Sequence, residues 1–209
     1  MSILVYIGAN DGYSLEEYVD LYDRVYAFEP DPEMFDKLVN RFGDKDHVVL
    51  VNAACSDKEG IQTLYVTENR HYTSLSELSE FSLTKGFSGG KASFKTFDVN
   101  TINLNNFLQE NNIDHIDTLI TDCQGSDLSI LKTIKSFIDD KKISEIFCET
   151  HANTIQLYES LHNQYDEFKE LLSNHYKVKD FYLDGKIMSK YSEPYVEWDT
   201  HWILKDDII

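Results

Sequence analysis

The sequence predicts an α/β fold, because short apolar strands alternate with turns and helical segments along its first third. Residues 3–7 form an apolar run that ends in a glycine turn at 8–12, and residues 24–28 form a second run that ends at Glu29. A third run, 48–54, is almost wholly apolar, as expected for a strand buried on both faces of a parallel sheet. Strands spaced by helices in this way are typical of α/β rather than α+β proteins.

Helices are predicted between these strands. A helix over 15–22 would begin after Ser14, a good capping residue, and would carry two glutamates in its first turn. In the next interval, Met34, Leu38 and Phe42 are spaced so that they lie on one helical face. The pattern therefore indicates strand, turn and helix twice over, followed by a third strand.

The middle of the chain has a different pattern. Residues 61–66 alternate between polar and apolar side chains, which predicts an exposed strand. Residues 68–92 are mostly polar and include Gly86, Gly89 and Gly90. This composition is typical of a mobile loop or lid.

The second half of the chain again alternates apolar runs with helical patterns. The longest predicted helix covers 154–174, where apolar residues recur at helical spacing. The other predicted elements are helices over 104–109 and 126–137, buried strands over 118–121 and 143–148, and closing strands over 176–183, 187–191 and 202–204. No repeat or linker divides the pattern, so residues 1–209 are predicted to form a single domain.

Charge and cysteine content argue against several classes of function. The 209 residues include 19 basic and 37 acidic side chains, and the net charge of -18 disfavours binding to nucleic acid or anionic lipid. No apolar stretch is long enough to predict a membrane span. Cys55, Cys123 and Cys148 lack a C-x-x-C spacing and are predicted to be reduced thiols, which favours a cytoplasmic location.

The glycine turn after the first predicted strand is a candidate ligand site. Ligands of open α/β sheets bind beyond the carboxyl ends of the strands, where Gly8 and Gly12 allow a tight bend. Glu29 stands where nucleotide folds place a carboxylate that binds ribose hydroxyls. A dinucleotide fingerprint starting at Gly8 would need glycine where Asn10 and Tyr13 stand, which disfavours NAD and favours S-adenosylmethionine. The simpler alternative is a turn that binds nothing.

Four blocks of sequence contain or follow the predicted strands. They are YIGANDG at 6–12, AFEPDP at 27–32, NAACSDKEG at 52–60 and IDTLITDCQG at 116–125. In this order and spacing they resemble the FkbM family of S-adenosylmethionine-dependent methyltransferases. The resemblance implies the class I methyltransferase, Rossmann-like fold, which has a mostly parallel seven-stranded sheet, helices on both faces and an antiparallel closing strand.

The resemblance also implies a set of cofactor-binding residues. They are Gly8, Ala9 and Asn10 for the methionine part, Glu29 and Pro30 for the ribose, and Ala54 within the segment 53–57 for the adenine edge. Ser74 falls where the family often has a serine near the amino acid end of the cofactor, although an ordinary loop serine fits the same position. Asp122, which would lie at the reacting centre, and Gln124 complete the set of implied cofactor-binding residues. Tyr6 and Gln124 depart from the family, which commonly has acidic residues at both positions.

Methyl transfer to oxygen requires that the acceptor hydroxyl be aligned and deprotonated. The candidate catalytic residues at predicted strand ends are Asp122, Glu149, His151, and His201 with its neighbour Asp199. Each has a structural alternative: a helix cap for Asp122, a cap of the helix beginning at 154 for Glu149 and His151, and a buried structural histidine for His201. Alternatively, two carboxylates with an imidazole could bind Mg²⁺ or Mn²⁺, which would acidify a sugar hydroxyl; Asp122 and Glu149 are the candidate carboxylate ligands.

The function predicted from the resemblance is S-adenosylmethionine-dependent O-methylation of a hydroxyl on a sugar or glycan. The family also occurs fused to glycosyltransferases, which implies that this chain can be part of a larger glycan-building polypeptide. Two alternatives stay open. One is a methyltransferase fold that binds without turnover, consistent with Gln124 and Tyr6, and the other is an NAD-dependent oxidoreductase or epimerase.

Overall fold

The computed structural model describes residues 1–68, 70–85, 95–183, 186–188 and 196–205. In chain order, the strands of this part are β1 (Ile3–Ile7), β2 (Arg24–Phe28), β3 (Val48–Val51), β4 (Ala54–Cys55), β5 (Gly60–Val66), β6 (Lys95–Ile102), β7 (Ile116–Thr121), β8 (Ile143–His151), β9 (Tyr176–Leu183), β10 (Lys186–Met188) and β11 (Glu197–Leu204). Its helices are α1 (Pro32–Phe42), α2 (Glu80–Lys85), α3 (Leu104–Glu110), α4 (Asp127–Thr133), α5 (Lys135–Asp139) and α6 (Tyr165–Leu172).

A large, mostly parallel sheet forms the centre of the molecule. Within the described residues its order is β10-β9-β11-β8-β7-β1-β2-β3. The strands from β8 to β3 pair in parallel, whereas β11 runs antiparallel to both β8 and β9. The predicted α/β class and the antiparallel closing strand are confirmed. The sheet has one strand more than the seven predicted, because the short β10 pairs with β9 at the edge.

Helices cover both faces of this sheet, as predicted. The side chains of β1 alternate between the faces because a strand has a period of two residues. Val5 packs in a core cluster with residues of α3, α4, α5 and α6, whereas Leu4 packs in a second cluster with Leu38 and Phe42 of α1. The carboxyl ends of the parallel strands are thereby held at one edge of a rigid layered core.

A second, smaller sheet has the order β4-β6-β5 and packs on the main core through Cys55 and Ile102. The predicted strand 48–54 divides in two, since β3 belongs to the large sheet and β4 pairs with β6 of the small one. β5 runs antiparallel to β6. The prediction missed β6, although Phe97 and Val99 alternate there with polar residues in the pattern of a half-buried strand.

Three predicted helices differ from the structure. The segment 15–22 forms two short 3₁₀ turns, Leu15–Glu17 and Val19–Leu21. The segment 126–137 is interrupted at Ile134, which separates α4 from α5. Within 154–174 only α6 is helical.

The first part of the predicted long helix is irregular because its backbone bonds to another segment. The amide of Ser79 donates to the carbonyl of Leu157 at 2.9 Å, and the Ser79 hydroxyl donates to the carbonyl of Gln156. Ser82 also donates to the Leu157 carbonyl, at 2.7 Å. These tertiary bonds replace the internal bonds of a helix, which apolar periodicity does not reveal.

The segment 68–92 is described only in part, because residue 69 and residues 86–92 lie outside the described residues. Its described part packs on the irregular segment through a bridge between Leu78 and Tyr158, and it includes α2. The lid function of 68–92 stays a prediction. Among the described residues, no helix is both long and apolar enough to cross a membrane.

Candidate active site

A cavity of about 560 Å³ opens at the carboxyl edge of the parallel strands. The loops after β1, β2 and β7, the end of β8, the start of β11 and the segments 53–55 and 70–75 contribute to its walls. The predicted site residues that line it are Gly8, Ala9, Asn10, Glu29, Pro30, Ala54, Ser74, Asp122, Gln124, Glu149 and Asp199. The structure therefore brings together most of the residues predicted from the sequence.

The turn after β1 requires glycine at its first position. Gly8 has a φ of +85°, and a Cβ there would lie 2.0 Å from the backbone oxygen of Asp122. The amides of Gly8 and Ala9 donate to the carbonyl of Phe28 at 3.0 and 2.9 Å. The backbone at Gly8 thus approaches that of Asp122 more closely than any side chain permits. The turn of Gly8, Ala9 and Asn10 forms a surface on which a ligand can lie, the backbone cradle.

Glu29 is fixed by the backbone on both sides. Its Oε2 accepts a hydrogen bond from the amide of Asn10, and its Oε1 accepts one from the amide of Asp31, both at 2.7 Å. Burial raises the pKa of Glu29 to about 7, although the two amide bonds oppose that rise. Each carboxylate oxygen has a further lone pair, so the group can accept two more hydrogen bonds from vicinal hydroxyls.

A salt bridge joins Arg70, in the loop after β5, to two carboxylates that follow β2. The sequence did not predict this pairing. The guanidinium of Arg70 pairs with the carboxylates of Asp31 and Glu33, and Asp31 is 1% exposed. Asp31 also caps α1 by accepting a hydrogen bond from the amide of Glu33 at 2.9 Å. Arg70 lies in a polar loop, where no local pattern predicts its partner.

Ser74 positions one backbone segment against another. Its hydroxyl donates to the carbonyl of Gln124 at 2.7 Å, and its side chain is buried. Ala54, Leu64 and Leu75 line the same end of the cavity and supply apolar surface suited to a flat aromatic ring. The position predicted for adenine is therefore chemically suitable.

Asp122 faces the cavity and does not cap a helix. α4 begins at Asp127 with Ser126 as its cap residue, so the capping alternative is wrong. The side-chain Nε2 of Gln124 donates a hydrogen bond to Asp122 Oδ1 at 2.7 Å. The side chain is open to the cavity, but the surrounding protein desolvates it and raises its pKa. One oxygen is thus oriented by protein, and Oδ2 accepts no hydrogen bond among the described residues.

Gln124 links the two residues that were predicted to bind a metal. Its Nε2 donates to Glu149 Oε1 at 3.0 Å as well as to Asp122, and its Oε1 accepts a hydrogen bond from the hydroxyl of Tyr158 at 2.7 Å. The space between Asp122 and Glu149 therefore contains an amide donor, which is unfavourable for a cation at that point.

His151 lies behind Glu149 and is fully buried. Its Nε2 lies 3.2 Å from Glu149 Oε2, and burial lowers the pKa of the imidazole to about 3. Burial raises the pKa of Glu149 well above its usual range, with a further contribution from Asp122. Neither residue caps a helix at 154, because α6 begins only at Tyr165.

Two carboxylates on β11 complete the wall opposite Asp122. Glu197 and Asp199 line the cavity, and burial together with Asp122 raises the pKa of Asp199 to about 7. The sequence prediction did not include Glu197. Its signal was the alternation of Glu197 and Asp199 with buried Trp198, which places both carboxylates on one face of the strand.

His201 is not among the described residues that line the cavity. Its Nε2 lies 2.9 Å from Glu145 Oε2, and its ring stacks on Phe147 with 3.8 Å between centroids. The side chain is almost completely buried. These contacts agree with the structural alternative for His201.

Comparison with known proteins identifies the family. The sequence pattern of the methyltransferase FkbM domain matches residues 7–178. The chain belongs to the FkbM methyltransferase family. No curated protein sequence matches it. This FkbM protein is therefore an S-adenosylmethionine-dependent methyltransferase, which removes the main ground for the NAD-dependent alternative.

Solved structures agree on the fold of this FkbM protein. The N-methyltransferase NodS from Bradyrhizobium japonicum matches 98% of the chain over 86% of its own, with 9% identity and a TM-score of 0.50. A fibrillarin/Nop5p complex matches 98% of the chain over 73% of its own, with 13% identity and a TM-score of 0.50. These similarities show the class I methyltransferase fold alone, because the identities are low.

Proposed function

We propose that this FkbM protein transfers the methyl group of S-adenosylmethionine to a hydroxyl of a sugar or glycan. One observation carries the proposal: Gly8, Glu29, Asp122 and Asp199 line the same cavity. The backbone turn at Gly8 and the Glu29 carboxylate suit an adenosyl cofactor, whereas the carboxylates of Asp122 and Asp199 suit a polar acceptor. The two reactants would therefore meet in one enclosed space.

The cofactor fits the residues present. Glu29 would accept hydrogen bonds from both ribose hydroxyls, because each of its oxygens has one lone pair left after the amide bonds. The backbone turn of Gly8, Ala9 and Asn10 would carry the methionine part, and Ala54 would contact the adenine. When bound, the cofactor supplies an electrophilic methyl group on a sulfonium.

Asp122 is the proposed general base. Gln124 holds its Oδ1, which leaves Oδ2 directed at the acceptor hydroxyl, and a raised pKa makes the carboxylate a stronger proton acceptor. The proton of the hydroxyl moves to Asp122 as the oxygen attacks the methyl carbon in line. Asp199 would bind another hydroxyl of the acceptor, and His151 would act only through Glu149.

The charge of the cavity favours an uncharged acceptor. The lining includes one arginine and the carboxylates of Asp11, Glu29, Asp31, Asp122, Glu149, Glu197 and Asp199. Such a lining repels phosphate groups and offers many hydrogen-bond acceptors to the hydroxyls of a neutral sugar.

The proposal also includes a role in a larger glycan-building polypeptide and a cytoplasmic location. Free thiols at Cys55, Cys123 and Cys148 are compatible with that location.

A mass-spectrometric screen of neutral glycans with S-adenosylmethionine tests the proposal. We expect a single methyl gain with the wild type, a large loss of rate with Asp122→Asn, and no change with Glu110→Gln, an exposed carboxylate on α3. Affinity for S-adenosylhomocysteine is measured on the same samples by calorimetry. Binding without turnover on any glycan would support the non-catalytic alternative, and stabilisation by NAD alone would contradict the cofactor assignment.

A further inference from the structure

Two carboxylates and an imidazole converge where β8 ends and β11 begins. Glu149 and His151 are two residues apart on β8 and share one face of the strand, and Glu197 is paired with His151 in the register of β11. Ligand atoms of Glu149, His151 and Glu197 all lie within 4.8 Å of one another. Glu149 and Glu197 also line the cavity, so the cluster adjoins the space assigned to the acceptor.

The imidazole of His151 is not satisfied by the protein around it. Its Nε2 faces Glu149 Oε2, and its Nδ1 has no hydrogen-bond partner among the described residues. Nδ1 has no partner in either neutral tautomer, so an ion would bind at Nε2, which faces the Glu149 carboxylate at a fully buried position. A neutral imidazole is also the form that binds a metal ion.

The distance between the His151 and Glu149 donor atoms is compatible with coordination of one ion. Ligands held about 2.1 Å from a metal ion lie about 3.0 to 3.4 Å apart along one edge of the coordination shell. The distance between His151 Nε2 and Glu149 Oε2 is 3.2 Å. A cation at this position would also offset the repulsion among Glu149, Glu197 and Asp199.

We propose that Glu149, His151 and Glu197 bind a divalent transition-metal ion of the Mn²⁺ type at the acceptor end of the cavity. Two carboxylates with one imidazole suit Mn²⁺ or Zn²⁺ better than Mg²⁺ or Ca²⁺, which prefer oxygen ligands alone. The site differs from the pair predicted from the sequence, because Gln124 occupies the space between Asp122 and Glu149.

The site itself does not depend on the proposed function, but its chemical role does. An acceptor hydroxyl bound to the ion would be more acidic. Its proton would pass to Asp122, the O–CH₃ bond would form as the S–CH₃ bond breaks, and the sulfur would leave as a neutral thioether.

Calorimetry with Mn²⁺ on the full chain tests the site. The protein is first treated with EDTA and exchanged into buffer at about pH 8, because a higher pH favours the ionised carboxylates that bind a cation. We expect one saturable site, with affinity at least about tenfold lower in Glu197→Gln and in His151→Gln, because each loses a ligand. Glu145→Gln is the matched control, since the half-buried Glu145 pairs with the buried imidazole of His201 outside the cavity. Its Mn²⁺ affinity should equal that of the wild type.

A second measurement needs no variant. The electron paramagnetic resonance of Mn²⁺ bound to the wild type should show coupling to an imidazole nitrogen. Absence of saturable binding of both Mn²⁺ and Zn²⁺, absence of that coupling, or equal losses in Glu145→Gln and Glu197→Gln would overturn the site. Binding of S-adenosylhomocysteine is measured in parallel: if it binds and Mn²⁺ does not, only the metal proposal fails, and the reverse result removes only the cofactor assignment.

Discussion

The two ends of the cavity are built in different ways. At the cofactor end, the groups come from two neighbouring turns, after β1 and after β2, and Glu29 is held by the backbone amides of Asn10 and Asp31. At the acceptor end, Asp122 directly follows β7, Glu149 lies on β8 and Glu197 lies on β11, which runs antiparallel to β8.

This difference explains what each end can recognise. At the cofactor end, the glycine turn and the carboxylate of Glu29, which two backbone amides hold, would position the ligand mainly through backbone atoms. The acceptor end depends on side chains whose spacing is set by the pairing of β8 with β11. Affinity for S-adenosylhomocysteine should therefore respond strongly to changes at the first end and weakly to changes at the second.

The largest effect is expected from Gly8→Ala. The new Cβ would lie 2.0 Å from the Asp122 backbone oxygen, which forces the turn apart. We expect loss of measurable S-adenosylhomocysteine binding and a fall of about 2 to 4 kcal/mol in the free energy of unfolding, followed by denaturant titration.

Gly60→Ala is its matched control. Gly60 also has a positive φ, of +129°, but a Cβ there would meet nothing within 4 Å. The backbone penalty alone should cost about 1 kcal/mol and leave cofactor affinity unchanged. Equal losses in the two variants would show that the close approach to Asp122 is unimportant.

Glu29→Gln should have the next largest effect. An amide has one acceptor oxygen where the carboxylate has two, so one backbone or ribose donor loses its partner. We expect calorimetric affinity for S-adenosylhomocysteine to fall by about tenfold to a hundredfold, as for the loss of a hydrogen bond to a charged group. Glu110→Gln should bind like the wild type; unchanged affinity in Glu29→Gln would remove Glu29 from the cofactor site.

A smaller effect is expected from pH. Burial raises the pKa of Glu29 to about 7, so the carboxylate gains a proton as the pH falls through that value. Affinity for S-adenosylhomocysteine should decrease by at most about tenfold between about pH 8 and about pH 6, because the ionised form accepts both ribose hydrogen bonds. Asp199 titrates in the same range. If the affinity of Glu29→Gln does not change with pH, the pH dependence of the wild type is due to Glu29. If Glu29→Gln keeps the pH dependence of the wild type, another group is responsible.

The smallest effect is expected from Asp199→Asn. Asp199 is exposed to the cavity at the acceptor end, and S-adenosylhomocysteine carries no sulfonium charge for it to attract. The affinity for S-adenosylhomocysteine should change by less than about threefold, since Asp199 is not among the residues proposed to contact the cofactor. A larger loss would mean that the cofactor extends to β11 and that the two ends of the cavity are not separate.

The elements predicted correctly are those whose evidence is local. β1, β2 and α1 were predicted because a buried strand, a glycine turn and an amphipathic helix each leave a short pattern in the chain. The predicted helix over 154–174 was mostly wrong because the backbone there bonds to Ser79 and Ser82, which are distant in sequence. Periodicity records the burial of side chains and carries no information on the partners of the backbone.

The residues of the candidate site show the same difference between local evidence and long-range contacts. Gly8, Asn10 and Glu29 were predicted from the sequence and line the cavity in the structure. His201 was predicted from its chemistry alone, and its partner Glu145 lies on another strand. Glu197 was missed because a carboxylate on a strand shows its role only once its neighbours across the sheet are known.

The family, the α/β fold and the glycine turn can be predicted from the chain alone, since they depend on residue types at short and regular spacing. The position of Gln124 between Asp122 and Glu149, the pairing of Glu197 with His151 and the place of His201 outside the cavity become known only in the folded protein. Strand register and loop packing are cooperative properties of the whole sheet, and a one-residue shift in register would turn Glu149, His151, Glu197 and His201 to the other face.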